Sequence, residues 1–268
     1  MPRIERDGVR LAYEQTGAGA PALLLIHGAF ANRSAYDLQV DHFASSHEVV
    51  RVDMRGHGES DRPEGPYSIP EFADDVAYMA RELGLRDAVV VGHSMGGLVA
   101  VEMAGHHADV VGAVVTLDSP SLIPGWSNEF AHPIDDEMEG ANFRDVLEAF
   151  LRRAEHPADD HARWDQSLAS VRELPEHVIR ATWAALEWDP APALRACQVP
   201  FLYLDHGQPG YDLTELRALC PQVASGQTVG AGHRALQDVP DQVNAMLERF
   251  IDKRHVIAEF ELQRARGS

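Results

Sequence analysis

The stretch that most constrains the fold is Val89-Val90-Val91-Gly92-His93-Ser94-Met95-Gly96-Gly97. It is an apolar run broken by a glycine-bracketed turn, with a helical pattern over residues 95–106 directly after it. A second near-continuous apolar run follows at 110–117. Runs of this kind, apolar at every position, suit central strands covered on both faces. Two such strands joined through a helix require a right-handed crossover, so the chain is expected to form a parallel sheet flanked by helices.

The rest of the chain extends the alternation. Residues 10–15, 22–26 and 48–52 read as strands, with Gly17 and Gly19 turning the chain between the first two. Residues 69–83 carry Phe72, Val76, Met79 and Leu83 at helical spacing and stop at Gly84. Residues 120–195 break the rhythm: they are helical and acidic, and they hold all four tryptophans, Trp126, Trp164, Trp183 and Trp188. The strand pattern resumes at 200–204, followed by a helix at 212–219, a last strand near 227–229 and a terminal helix from Val239. The expected organisation is one sheet domain, 1–119 and 196–268, with a helical lid, 120–195, inserted after the sixth strand.

Hydrophobic residues make up 45% of the 268, enough to form a sizeable core without a disulfide or metal. The 42 acidic residues against 23 basic ones give a net charge of −19, which repels nucleic-acid phosphates and anionic lipid surfaces. Neither nucleic acid nor membrane is therefore an expected partner, and a homodimer is left open. Cys197 and Cys220 read as reduced thiols. The first seven residues contain no apolar segment of the secretory type, and a cytoplasmic location is expected. The histidines and carboxylates lack zinc or calcium spacing, and residues 92–97 lack a dinucleotide fingerprint, so no metal or cofactor is expected.

Gly92-His93-Ser94-Met95-Gly96 has the Gly-x-Ser-x-Gly form at the end of a strand and the start of a helix, the context of a nucleophile elbow. Such a turn forces the serine into strained backbone geometry and sets it above free N–H groups of the helix N-terminus. A glycine-rich turn can also hold a serine for packing alone. His93 reads as a packing or orienting residue, since neighbours on a sharp turn point apart.

Four segments in this order resemble the α/β-hydrolase superfamily over nearly the whole chain: His27-Gly28-Ala29-Phe30, Asp53-Met54-Arg55-Gly56-His57-Gly58-Glu59-Ser60, the Ser94 elbow, and Gly230-Ala231-Gly232-His233. The resemblance implies the α/β-hydrolase fold, with Ser94 as nucleophile and His233 as its base. It also implies an oxyanion hole made by the backbone amides of Ala29 and Met95. His27, Asp53, Arg55 and His57 read as residues bracing the turns. The third member of the triad departs from the usual pattern, because Pro209 or Gly210 stands where most relatives carry the acid. Some members, including zearalenone lactonases and haloalkane dehalogenases, place it at the end of the preceding strand. Asp118 stands there in this chain, 24 residues after Ser94. Asp118 is the preferred acid, with Asp205 and Asp212 as alternatives; Asp212 also reads as a helix N-cap with Glu215.

The resemblance is to the lidded esterase and lactonase branch. The expected substrate is a small hydrophobic ester or lactone, cleaved through an acyl-serine intermediate. Trp126, Phe130, Phe143, Phe150, Trp164, Trp183 and Trp188 would mostly build the lid's interior, with one or two facing the cleft. No cationic cluster is expected near the elbow, and the acidic runs at 135–137 and 159–160 read as a solvated face. Carbon–carbon bond hydrolysis, cofactor-free oxygen chemistry and a non-catalytic ligand receptor are the competing functions on this fold.

Overall fold

The structure, a computed structural model, describes residues 1–123, 134–207 and 212–267. Trp126, Phe130, Pro209 and Gly210 lie outside the described residues. Eight strands form one sheet: β1 Arg3–Arg6, β2 Val9–Thr16, β3 Leu23–Ile26, β4 Val49–Val52, β5 Ala88–His93, β6 Val111–Leu117, β7 Phe201–Asp205 and β8 Val223–Gln227. Their order across the sheet is β1-β2-β4-β3-β5-β6-β7-β8. β1 and β2 pair antiparallel, as do β2 and β4, and all later pairings are parallel.

Alternate residues of each central strand feed opposite layers. Leu24, Ile26, Val90, Val114, Phe201 and Tyr203 belong to one buried cluster, while Leu23, Leu25, Val89, Val91, Val115 and Leu202 belong to another. Both faces are covered, so both sets are apolar and the strands read as continuous hydrophobic runs. On the first face lie α2, Ile69–Glu82, and α3, Met95–His106. α2 starts at Ser68, whose hydroxyl accepts from the Glu71 amide at 3.2 Å, and its C-cap Leu83 leads into Gly84 at φ +73°. Every residue of α3 from Met95 to Ala104 is buried, so this helix has no solvent face for most of its length. The second face is covered by α1, Asp37–Phe43, and by the terminal helix Pro240–Gly267.

One strand is missing from the sequence reading and another is displaced. The edge strand β1 is absent from the sequence reading because Arg3-Ile4-Glu5-Arg6 carries one apolar residue; its hairpin turn is Asp7-Gly8, with φ of 51° and 80°. β8 runs over Val223–Gln227 instead of 227–229. Only Val223 and Ala224 of that strand are buried, so its small and polar residues hid it from a hydrophobicity pattern.

Between β6 and β7 the chain forms helices at Asp135–Met138, Phe143–Arg152, His161–Arg172, Glu176–Ala185 and Ala191–Ala196. Phe143, Leu147, Val171, Ile179 and Trp183 from these helices join Phe30 of the sheet domain in a third cluster. Among the described residues, no helix is long and apolar enough to cross a membrane.

Candidate active site

Ser94 ends β5 and begins α3 with φ 52° and ψ −120°, a conformation costly for a residue with a Cβ. It stands at the N-cap of α3, yet its side chain makes no capping hydrogen bond, so the hydroxyl is left for other partners. The flanking glycines make this turn sterically feasible. A Cβ on Gly92 would lie 2.0 Å from the Gly96 carbonyl oxygen, and one on Gly96 would lie 2.2 Å from that of Ile26. The Ser94 amide donates to the Leu117 carbonyl at 2.9 Å, tying the elbow to the end of β6.

Asp118 follows directly, also strained, at φ 47° and almost fully buried. One carboxylate oxygen, Oδ2, accepts from His233 Nδ1, and the other, Oδ1, lies 2.9 Å from His206 Nδ1. Burial disfavours the Asp118 charge, but the two imidazoles more than offset it and pull the pKa down to about 2. With Asp118 ionised at neutral pH, the proton of the first bond sits on His233 Nδ1, and Nε2 is left as the basic nitrogen.

Asp118 is thus the carboxylate that meets His233. Asp205 is buried and closes a turn, accepting from the Gly207 amide at 2.6 Å, and burial raises its pKa. Asp212 is exposed and accepts from the Thr214 amide at 2.9 Å; the helix begins at Thr214 with Leu213 as N-cap, one residue later than a capping box from Asp212 requires. His206 is the site residue that sequence reasoning missed. Its signal is the register Leu117↔Leu204, which brings the ends of β6 and β7 side by side.

The His233 loop is held from two directions. His93 Nε2 donates to the His233 carbonyl at 2.8 Å, with the two rings 4.7 Å apart. The His233 amide donates to the Ala154 carbonyl at 3.0 Å, and the Gly232 amide donates to Asp159 Oδ1 at 3.0 Å. Asp159 Oδ2 also accepts from the His156 amide at 2.7 Å and Trp164 Nε1 at 3.2 Å. Asp159 is therefore a buried anchor, which corrects its reading as part of a solvated face.

The loop after β3 is shaped by two buried histidines. Burial, reinforced by the neighbouring His27, lowers the His57 pKa to about 3, so the ring is neutral. Its Nδ1–H donates to the Arg55 carbonyl at 2.9 Å, which makes Nε2 an acceptor for the Phe30 amide at 3.2 Å. His27 is arranged alike: Nδ1–H donates to the Gly28 carbonyl at 2.7 Å and Nε2 accepts from the Met54 amide at 3.1 Å. The Phe30 amide is thereby occupied. Among the described residues, the Ala29 and Met95 amides donate to no protein acceptor.

Ser94, His233, His206, Asp118, Ala29 and Met95 all line one cavity of about 490 Å³. Its further walls include Phe30 from the sheet domain and Phe150, Leu151, Trp164, Trp183 and Leu186 from the helical segment. Trp183 Nε1 donates to Asp135 at 2.8 Å, satisfying its polar atom while the ring faces the cavity. Phe143 and Trp188 pack in the core clusters instead. Two arginines, Arg153 and Arg234, also line the cavity, against the expectation of no cationic cluster near the elbow.

The family model of the alpha/beta hydrolase fold matches residues 21–159 of the 268, and the chain belongs to the α/β-hydrolase superfamily of enzymes. It is similar to the 2-(acetamidomethylene)succinate hydrolase of Mesorhizobium japonicum, 34% identical over 163 residues covering 59% of this chain and 57% of that protein. The chain spans about half the length of the first curated relatives it matches, the second being a putative carbamate hydrolase of Azorhizobium caulinodans. Among solved structures it resembles the enol-lactonase from Burkholderia xenovorans LB400, with TM-score 0.79, 25% identity and coverage of 94% of this chain and 100% of that one. It shares its fold with Est816, described as an N-acyl homoserine lactone degrading enzyme, at TM-score 0.83 and 24% identity over 93% of this chain and 100% of the other.

Proposed function

We propose that the protein is a serine hydrolase that cleaves a carboxylic ester or lactone through an acyl-Ser94 intermediate. The observation that carries this reading is the shared cavity. A strained serine, a histidine bonded to a buried carboxylate, and two unengaged amides line the same space. In the proposed reaction the Ser94 hydroxyl attacks the carbonyl carbon while His233 Nε2 takes its proton. The oxyanion is bound by the Ala29 and Met95 amides, each donor worth about 3–4 kcal/mol of barrier. His233 returns the proton to the departing alcohol, and water then releases the acid by the same steps in reverse roles. Asp118 holds the tautomer and stabilises the imidazolium.

The helices between residues 134 and 196 act as a lid on this cavity, and their aromatic walls suit a small substrate with an apolar body. The names of relatives support the reaction class: a 25%-identical structure is an enol-lactonase, and a 34%-identical curated relative is a hydrolase. A pre-steady-state burst with a chromogenic ester, absent in Ser94→Ala, is the expected result, together with fluorophosphonate labelling at Ser94. An unchanged rate in Ser94→Ala overturns the reading. Turnover of diketones with none of simple esters would assign carbon–carbon bond hydrolysis instead.

A further inference from the structure

We propose that the cavity recognises a free carboxylate on its substrate, bound by Arg153 and Arg234 beside His233. The natural substrate is then an acidic ester or lactone: an apolar body, a scissile acyl group and one carboxylate at a distance from it. The inference rests on the serine-hydrolase reading of this same cavity and narrows its substrate class.

Carboxylates outnumber cations in this chain, 42 to 23, and many of its arginines are paired with them. Arg152, immediately before Arg153, lies 2.7 Å from Asp165, 3.3 Å from Glu148 and 3.7 Å from Glu155. Arg55, Arg81 and Arg172 are likewise paired. Among the described residues, neither Arg153 nor Arg234 forms an ion pair, although both line the cavity. Arginines on the open surface, such as Arg62, Arg86 and Arg195, likewise form no ion pair among the described residues, but two unpaired arginines lining one cavity beside His233 are placed to take a carboxylate from outside.

Position supports this. The His233 amide bonds to the Ala154 carbonyl at 3.0 Å, so the segments carrying Arg153 and Arg234 meet at the base itself. Arg153 is exposed, whereas the Arg234 guanidinium is stacked 3.9 Å over the Trp164 ring. Arg234 Nη1 is buried and has no hydrogen-bond acceptor among the described residues. The acids facing Arg234 are Asp238, Glu155 and Asp159, and none of them forms an ion pair with it. Asp238 contacts Arg163 at 3.4 Å through Oδ1 while its Oδ2 is buried without a hydrogen-bond partner among the described residues, Glu155 bonds to His161, and Asp159 is held by two amides and the Trp164 indole. Burial lowers the Arg234 pKa to about 10, which leaves it a cation at neutral pH in surroundings that do not fully compensate its charge. A ligand carboxylate compensates it, with the planar fork of a guanidinium as the matching donor.

The test uses the full chain and two chromogenic esters of equal acyl length, 4-nitrophenyl pentanoate and mono-4-nitrophenyl glutarate, which differ by a terminal carboxylate. The wild type is expected to favour the glutarate ester in kcat/KM by about tenfold or more, an advantage that shrinks with added salt. Arg153→Gln and Arg234→Gln should each lower the glutarate-to-pentanoate ratio by about tenfold, and Arg234→Lys by less. The ratio guards against general damage, because misfolding lowers both rates alike, and the exposed Arg153 carries the test should Arg234→Gln fail to fold. A wild type that prefers pentanoate, or a ratio unchanged in both glutamine variants, overturns the carboxylate site while leaving the esterase intact. Absence of turnover of either ester, with no fluorophosphonate label on Ser94, overturns the hydrolase reading and this proposal with it.

Discussion

The carboxyl edge of the sheet and the helical segment above it meet at one cavity but are held by different physics. At the sheet edge, Ser94 and Asp118 are displaced from ordinary backbone geometry and held by backbone hydrogen bonds and close glycine packing, while neutral buried histidines fix the neighbouring loops. In the helical segment, residues 134–196, amphipathic helices bury a small cluster of side chains and leave charged faces outside. The first arrangement tolerates almost no displacement; the second can change its walls and still fold. Such a division suits an enzyme whose chemistry is constant and whose substrate is set by the cover. The division is not complete. Asp159 and Ala154, both in the helical segment, hold the His233 loop, so the cover also positions the base.

Four substitutions or conditions test how far the division goes. Asp118→Asn should reduce kcat on a chromogenic ester by about 10⁴-fold with little change in KM, because the imidazole loses its fixed tautomer. A loss below tenfold would show that the sheet edge does not orient the base. Asp159→Ala strands three N–H donors, two of them in buried hydrogen bonds, and urea denaturation should show a loss of about 3 kcal/mol. Its kcat should fall as well; unchanged kcat would restore a clean separation between cover and chemistry.

The third test concerns acid. The Asp118 pKa is depressed in the folded protein, from 3.8 to about 2, so its charged form stabilises the fold above the unfolded value. That contribution, about 2 kcal/mol, is present at neutral pH and disappears as pH falls from about 4 to about 2. The stability advantage of wild type over Asp118→Asn, measured by denaturation across this window, should shrink towards the acid end. The smallest effect belongs to His206. His206→Ala should lower kcat by about tenfold by releasing one Asp118 oxygen, and His206→Asn, which retains an N–H donor, should recover part of the loss. Wild-type rates in both variants would remove His206 from the site.

Much of the sheet was legible because its signals are local. Apolar runs at β3, β5, β6 and β7 announce strands covered on both faces, and the Gly-x-Ser-x-Gly turn announces the β5–α3 junction. The edge strands were harder, since β1 and the outer part of β8 face solvent and carry polar residues. Asp159 was misread for a related reason. An aspartate beside another aspartate looks solvated along the chain, and only the packing of the Gly232 loop and Trp164 around it shows that it is buried. The cavity arginines were invisible for the same cause: Arg153 and Arg234 are 81 positions apart, and a backbone hydrogen bond between their neighbours brings the two segments together.

By itself, the order of residues determined the class of fold, the strained serine turn and the histidine loop, because each is written in a short contiguous segment whose backbone preferences act locally. Tertiary structure decided which carboxylate faces His233, what anchors the histidine loop and which charges enter the cavity. Those choices depend on contacts between segments distant in the chain, and on burial that turns an ordinary aspartate or arginine into a group whose charge must be matched.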